Sequence, residues 1–160
     1  MKPPSQGNIV RTSAKAVITS KGSILLIKRH SEGEDWYTLP GGGQNKFETL
    51  ESALIRECAE ETGYVIKINE MMFVGEYIGK NHEFSGKDSD IHQIDLHFLC
   101  EIGGTNEPGV VTVPDDTQVA VEWVDTGKLG ETPLYPKYLR KRIPEYLAGE
   151  RGKIYIGDLN

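Results

Sequence analysis

The segment from Thr49 to Gly63 constrains this chain more than any other. Thr49 is a suitable N-cap, Glu51 favours a first helical turn, and Gly63 is the glycine expected just past a helix end, so the pattern predicts a helix over 49–62. On a wheel of about 100° per residue with Leu50 at the origin, Ala53, Leu54 and Cys58 fall at about 300°, 40° and 80° and form an apolar arc. Glu57 at about 340° and Glu61 at about 20° lie inside that arc, and Glu60 at about 280° marks its edge. These carboxylates therefore face the protein rather than the water. They also occupy the last turn, where the helix dipole disfavours an anion by ~0.3–1 kcal/mol. Mutual repulsion and partial burial add to that cost. Arg56, one turn before Glu60, supplies a guanidinium. One guanidinium is too little for this cluster. Hard divalent cations such as Mg2+ or Mn2+, which take oxygen ligands, can balance the remainder. A solvated glutamate-rich face is the ordinary alternative, and the apolar arc argues against it.

The rest of the chain reads as one mixed α/β domain over 9–160, preceded by a flexible tail, 1–8, rich in Pro, Ser, Gly and Asn. A length of 160 residues suits a single domain, and 38% hydrophobic residues can fill its core. Strands are expected at 14–20 and 23–28 about a Lys21-Gly22 turn, and at Trp36 to Leu39. Pro40 to Gly43 reads as a loop. Further strands are expected at 64–68, 72–78, 94–102 and Val119 to Val124, with a short one at Val110 to Val113 and an edge strand at Lys153 to Ile156. In 94–102 the pattern alternates, with Ile94, Leu96, Phe98 and Cys100 on one side and Asp95, His97 and Glu101 on the other. Lys80 to Asp90 reads as a polar loop, and Tyr135 to Leu147 as a second helix disturbed near Pro144.

Composition narrows the function classes. A net charge of −6 argues against a non-specific nucleic-acid binder, which carries a positive face. No apolar run approaches the ~20 residues of a membrane span. The first residues lack the apolar stretch of a signal peptide. Cys58 and Cys100 each sit in an apolar stretch, which favours free thiols in a reducing compartment over a disulfide. A cytoplasmic protein is expected.

The stretch from Gly42 to Tyr64 resembles the Nudix box, Gly-x5-Glu-x7-Arg-Glu-U-x-Glu-Glu-x-Gly-U, where U is a bulky aliphatic residue. Gly42, Glu48, Arg56, Glu57, Glu60, Glu61 and Gly63 all stand at the matching spacing. At usages of ~7% per residue type, a chance match anywhere in the chain is on the order of one in a million. The departures are Cys58 and Tyr64 in the aliphatic slots and Phe47 where many members have glycine; none removes a charged group. Trp36-Tyr37-Thr38-Leu39-Pro40-Gly41-Gly42 looks like the family's entry into the box, and the hairpin ending in Lys28-Arg29 resembles its first strand pair. The resemblance spans most of 10–147, with high specificity in the box.

The resemblance implies an α/β/α sandwich around a central mixed sheet. It implies metal-dependent hydrolysis of the diphosphate bond of a nucleoside diphosphate linked to another moiety, by water attack on phosphorus. It further implies Glu57 and Glu61 as the main ligands of Mg2+ or Mn2+, Glu60 as a further ligand or orienting group, and a backbone carbonyl of Gly42 or Gly41 facing the metal. Glu48 and Arg56 would pair to fix the loop against the helix. Homodimers are common in the family. A sensor that binds a nucleotide without cleaving it is the rival reading, but such domains usually lose box glutamates. The general base is open among Glu61, Asp115 and Asp116. Arg29, Lys28 and His92 are candidate substrate contacts. His97 is read as a substrate contact or surface group, and Trp36 and Tyr37 as stacking or core residues. Lys80 stands where ADP-ribose hydrolases of the family often have proline, and Tyr77 lies three residues short of the tyrosine of diadenosine-polyphosphate enzymes. The substrate thus stays open among nucleoside triphosphates, nucleotide sugars and dinucleotides, with a small nucleotide preferred.

Overall fold

The computed structural model describes residues 9–105 and 107–159; the tail assigned to 1–8 lies outside them. Strand β1 (Arg11–Ser20) turns at Lys21 and Gly22 into β2 (Ser23–Ser31). Both turn residues have positive φ, 48° and 79°, the conformation whose twist suits a tight hairpin. Next come β3 (Glu34–Thr38), β4 (Gly41–Gly43), helix α1 (Leu50–Thr62), β5 (Ile66–Ile78) and a one-turn helix α2 (Ser85–Asp88). The chain continues through β6 (His92–Ile102), β7 (Gln118–Asp125), α3 (Leu139–Leu147) and β8 (Tyr155–Asp158). The strand order is β3-β2-β1-β6-β5-β8, with β4 added to β1 and β7 to β2. The β1–β6 and β5–β8 pairs are parallel and the others antiparallel, so the sheet is mixed.

Each face of the sheet holds its own core. Ala14, Ala16 and Ile18 of β1, with Phe98 and Cys100 of β6, pack against Leu54 and Cys58 of α1. Val17, between them in sequence, points the other way, into a core with Phe73, Leu129, Leu134 and Leu139, Ile143 and Tyr146 of α3. A helix on each face makes the α/β/α sandwich that the resemblance implies. Cys58 and Cys100 are both free and buried, and burial raises the Cys100 thiol to about 12.

Several elements differ from expectation. Gly41 to Gly43, read as loop, pair antiparallel with Lys15, Ala14 and Ser13. A β-carbon on Gly41 would lie 2.1 Å from the Ala14 carbonyl oxygen, so only glycine fits at that position. Segments 64–68 and 72–78 fuse into β5, whose register against β6 slips at Ile68/Glu70 and Met71/Phe73. No strand forms at 110–113; the amides of Thr112 and Val113 donate instead to the Glu60 carbonyl. The second helix starts at Leu139, not Tyr135, and contains Pro144; the edge strand is shifted to Tyr155–Asp158. Asp95 and His97, on the more polar side of β6, are buried because α3 and its core cover that face as α1 covers the other.

Candidate active site

Helix α1 is held at both ends as its sequence suggests. The Thr49 hydroxyl accepts the Ser52 amide at 3.1 Å, and Gly63, at φ 73°, donates its amide to the Ala59 carbonyl. With Ala53, Leu54 and Cys58 locked into the core, the glutamates of the last turns are carried to the β4 strand. Glu61 is 8% exposed and its Oε2 accepts the Gly41 amide at 2.9 Å. Burial pushes its carboxyl above the usual range, while the Gly41 N–H, Lys15 and Arg29 pull the other way. Glu57 packs on Gly42 so closely that a β-carbon there would lie 2.6 Å from its carboxylate.

Arg56 binds the loop to this cluster. Its Nε and Nη2 donate to both oxygens of Glu48, at 2.6 and 3.0 Å, and Nη2 also reaches the Gly43 carbonyl at 3.2 Å. Its Nη1 donates to Glu57 at 2.7 Å and Glu60 at 3.3 Å. The Arg56 bonds and the Asn45 amide hold the Glu48 carboxyl down at about 2. Glu57 and Glu60 thus share Arg56 while Glu61 faces Gly41, and among the described residues no three acidic, His or Cys side chains close on a single metal position. The donor set still fits a hard divalent cation. It offers carboxylate oxygen atoms, it includes the buried carboxylate of Glu61, and it sets Glu57 against a backbone at Gly42 that carries no side chain of its own.

The other candidates divide. Arg29 lies beside the cluster: its Nη2 is 3.9 Å from Glu61, its Nε donates to Thr38 at 2.9 Å and its Nη1 to Asp115 at 2.8 Å. Asp115 is thereby brought to the site through Arg29, although it is exposed, as Asp116 is. Lys28, on the opposite face of β2, pairs with Asp35 at 3.1 Å and Glu122 at 3.7 Å. The His92 ring donates to the Glu76 carboxylate at 2.7 Å, on the β5–β6 pair. Neither Lys28 nor His92 touches the glutamates of α1. His97 is no surface group: it is 1% exposed and stacks on Phe73 at 4.5 Å. Tyr37 packs at the edge of the α3 core and donates to Glu122.

Three contacts escaped sequence reasoning. Lys15 donates to the Gly41 carbonyl at 3.2 Å, Gln118 donates to the Glu61 carbonyl at 2.8 Å, and Arg11 lies against Gly43. Lys15 had a signal: it is the lone charge in the apolar run Ala14 to Ile18. A cavity of about 200 Å³ is lined by Lys15, Asp95 and His97 together with Trp36, Phe84 and Tyr135. Phe84 joins the aromatic walls, 6.4 Å from Trp36 and 5.1 Å from Tyr135 between ring centres. The cavity thus combines a cation beside the Gly41 carbonyl with flat aromatic rings.

Comparison with known proteins agrees with this layout. Residues 10–146 match the NUDIX domain family. An ADP-ribose pyrophosphatase of Methanocaldococcus jannaschii is 32% identical over 137 residues, which are 85% of this chain and 72% of that protein. The solved structure of a MutT NUDIX hydrolase from Burkholderia pseudomallei is similar with a TM-score of 0.61 at 26% identity, covering 91% of this chain and 100% of the other. A NUDIX hydrolase from Nitrosomonas europaea has the same fold, with a TM-score of 0.69 at 18% identity over 89% of this chain and 92% of its own.

Proposed function

This chain belongs to the Nudix hydrolase family, and from that premise we propose how its own residues divide the work of cleaving a nucleoside diphosphate joined to a second moiety. The enzyme is a pyrophosphohydrolase: water adds to one phosphorus, the bridging P–O bond breaks, and each phosphate leaves on its own product with one proton released. Nudix hydrolases need a divalent metal, and here Mg2+ or Mn2+ is the reading. Glu57 and Glu61 would hold it, with Glu60 and the Gly42 carbonyl as further oxygen donors. When bound, it neutralises the phosphates and lowers the pKa of a coordinated water.

The protein's part is positioning. Glu48, through Arg56, fixes the box loop against α1. The Gly41 amide orients Glu61, and Arg29 presents a guanidinium to the phosphates beside it. Asp115, held on Arg29, and Glu61 are the candidates for receiving the proton of the attacking water. Lys15 meets the inner end of the nucleotide, and Trp36, Phe84 and Tyr135 receive its base. The single observation that carries this reading is the pairing of a buried Glu61 with the Gly41 amide while Glu57 lies on Gly42.

The same reading takes 9–160 as one domain and the cytoplasm as its place, supported by two free, buried thiols. Among the described residues no helix is long and apolar enough to cross a membrane. A homodimer would appear as a doubled mass in solution. A panel of nucleoside triphosphates, nucleotide sugars and dinucleotides with Mg2+ or Mn2+ tests the activity. Glu57→Gln should abolish metal-dependent release of phosphate products while its circular dichroism matches the parent. Full activity of that variant would reject the metal assignment, and no turnover of any compound by the parent would favour a sensor.

A further inference from the structure

Phe47 stands where stability alone would not place it. It is 95% exposed, and its φ of 72° lies in the left-handed region that glycine tolerates and a bulky aromatic residue does not. An outlier of this kind beside a reactive centre invites a functional explanation. The ring borders a polar groove formed with Arg11, Gly43, Lys46, Glu48 and Glu57. Lys46 Nζ sits 4.9 Å from the ring centre. In a chain of net charge −6, two cations and one open aromatic ring line the same groove as the box glutamates Glu48 and Glu57.

The groove and the aromatic cavity lie on opposite ends of β4. The cavity includes Lys15, which binds the Gly41 carbonyl, and the groove includes Gly43. Three residues of extended strand separate them, ~7 Å, a span that a short polyphosphate covers. A substrate whose phosphates lie along Gly41 to Gly43 therefore sends one arm to Trp36, Phe84 and Tyr135 and the other to Phe47. Arg11 and Lys46 meet its second phosphate. We propose that Phe47 stacks on a flat heterocycle in that second arm, so that the preferred substrate is a dinucleotide rather than a nucleotide sugar or a nucleoside triphosphate. The inference rests on the function proposed above and adds a specificity-determining residue to it.

The test compares kcat/KM for diadenosine tetraphosphate and ADP-ribose in the parent, Phe47→Gly and Phe47→Trp. Stacking predicts that the ratio of the two falls about tenfold in Phe47→Gly, through KM, and is restored in Phe47→Trp. Phe47→Gly should also keep or raise the thermal midpoint, because glycine suits φ 72°, so a fall in the ratio is not a folding effect. A ratio unchanged in Phe47→Gly overturns the proposal alone. A parallel loss on both substrates with a change of solution mass also overturns it and makes the ring a contact between copies. If the parent cleaves neither compound nor any other in the panel, the hydrolase reading fails and this inference fails with it.

Discussion

A single hydrogen atom at Gly42 decides where Glu57 can stand. The φ of Gly42 is not in the left-handed region, so alanine suits its backbone; the obstacle is the Glu57 carboxylate, at 2.6 Å from a β-carbon. That carboxylate is the far end of a flexible side chain and can swing away. Gly42→Ala should therefore shift the thermal midpoint by no more than about 3 °C. A metal ligand displaced by about an ångström should nevertheless lower kcat/KM by about a hundredfold. Steady-state kinetics beside differential scanning calorimetry would show the two effects separate. The glutamates were legible at this scale because helix geometry turns spacing into direction. Lys15 and Arg29 were harder to read: Lys15 reaches the site across a strand pair and Arg29 through Thr38 and Glu61, contacts that only the folded sheet creates. The sequence offers Arg29 as a candidate substrate contact, but its tie to Asp115, far along the chain, has no local signal.

At the scale of elements, β6 shows where pattern reasoning stops. Alternation predicts one polar face, yet α3 and its core bury Asp95 and His97 on that face. The strand lies inside a two-sided sheet, whose layers only the tertiary fold reveals. Strand β4 was illegible for another reason: three glycines carry no side-chain pattern to read, and their pairing comes from a close backbone approach. Helix α1, by contrast, carries its caps and apolar arc locally and needed nothing distant to be read. The buried histidine has a measurable cost in acid. Burial depresses His97 to about 4, against the ordinary value of 6.5. The neutral ring is the folded form, so its contribution is present above the ordinary pKa and is lost as pH falls toward 4. Between pH 7 and pH 5 the group should remove about 2 kcal/mol of stability. His97→Gln should flatten that decline, as read by urea unfolding at the two pH values, even if its stability at pH 7 is lower through lost packing on Phe73. An unchanged slope would show that another group governs the acid limb.

For the molecule as a whole, the crowding of Glu48, Glu57, Glu60 and Glu61 about few cations predicts that metal and fold support each other. At a metal concentration about a hundred times its Kd, binding adds about 2.7 kcal/mol to stability. For a chain of 160 residues that corresponds to a rise in thermal midpoint of roughly 5–10 °C. Thermal shift with Mg2+ or Mn2+ should show it, EDTA should reverse it, and Glu57→Gln should lose most of it. The absence of any rise in the parent would mean that Arg56, Lys15 and Arg29 already balance the cluster unaided.

The parallel seam between β1 and β6 runs from Arg11 beside Gln93 to Ile18 beside Cys100. A nascent polypeptide leaving the ribosome thus displays its first hairpin and acidic helix long before the strand that seals them has been made. Such long-range closure favours folding in milliseconds to seconds rather than microseconds. Until β6 is available the inward glutamates remain in water, where they carry no penalty, and the chain commits to their burial only once that strand has closed on β1.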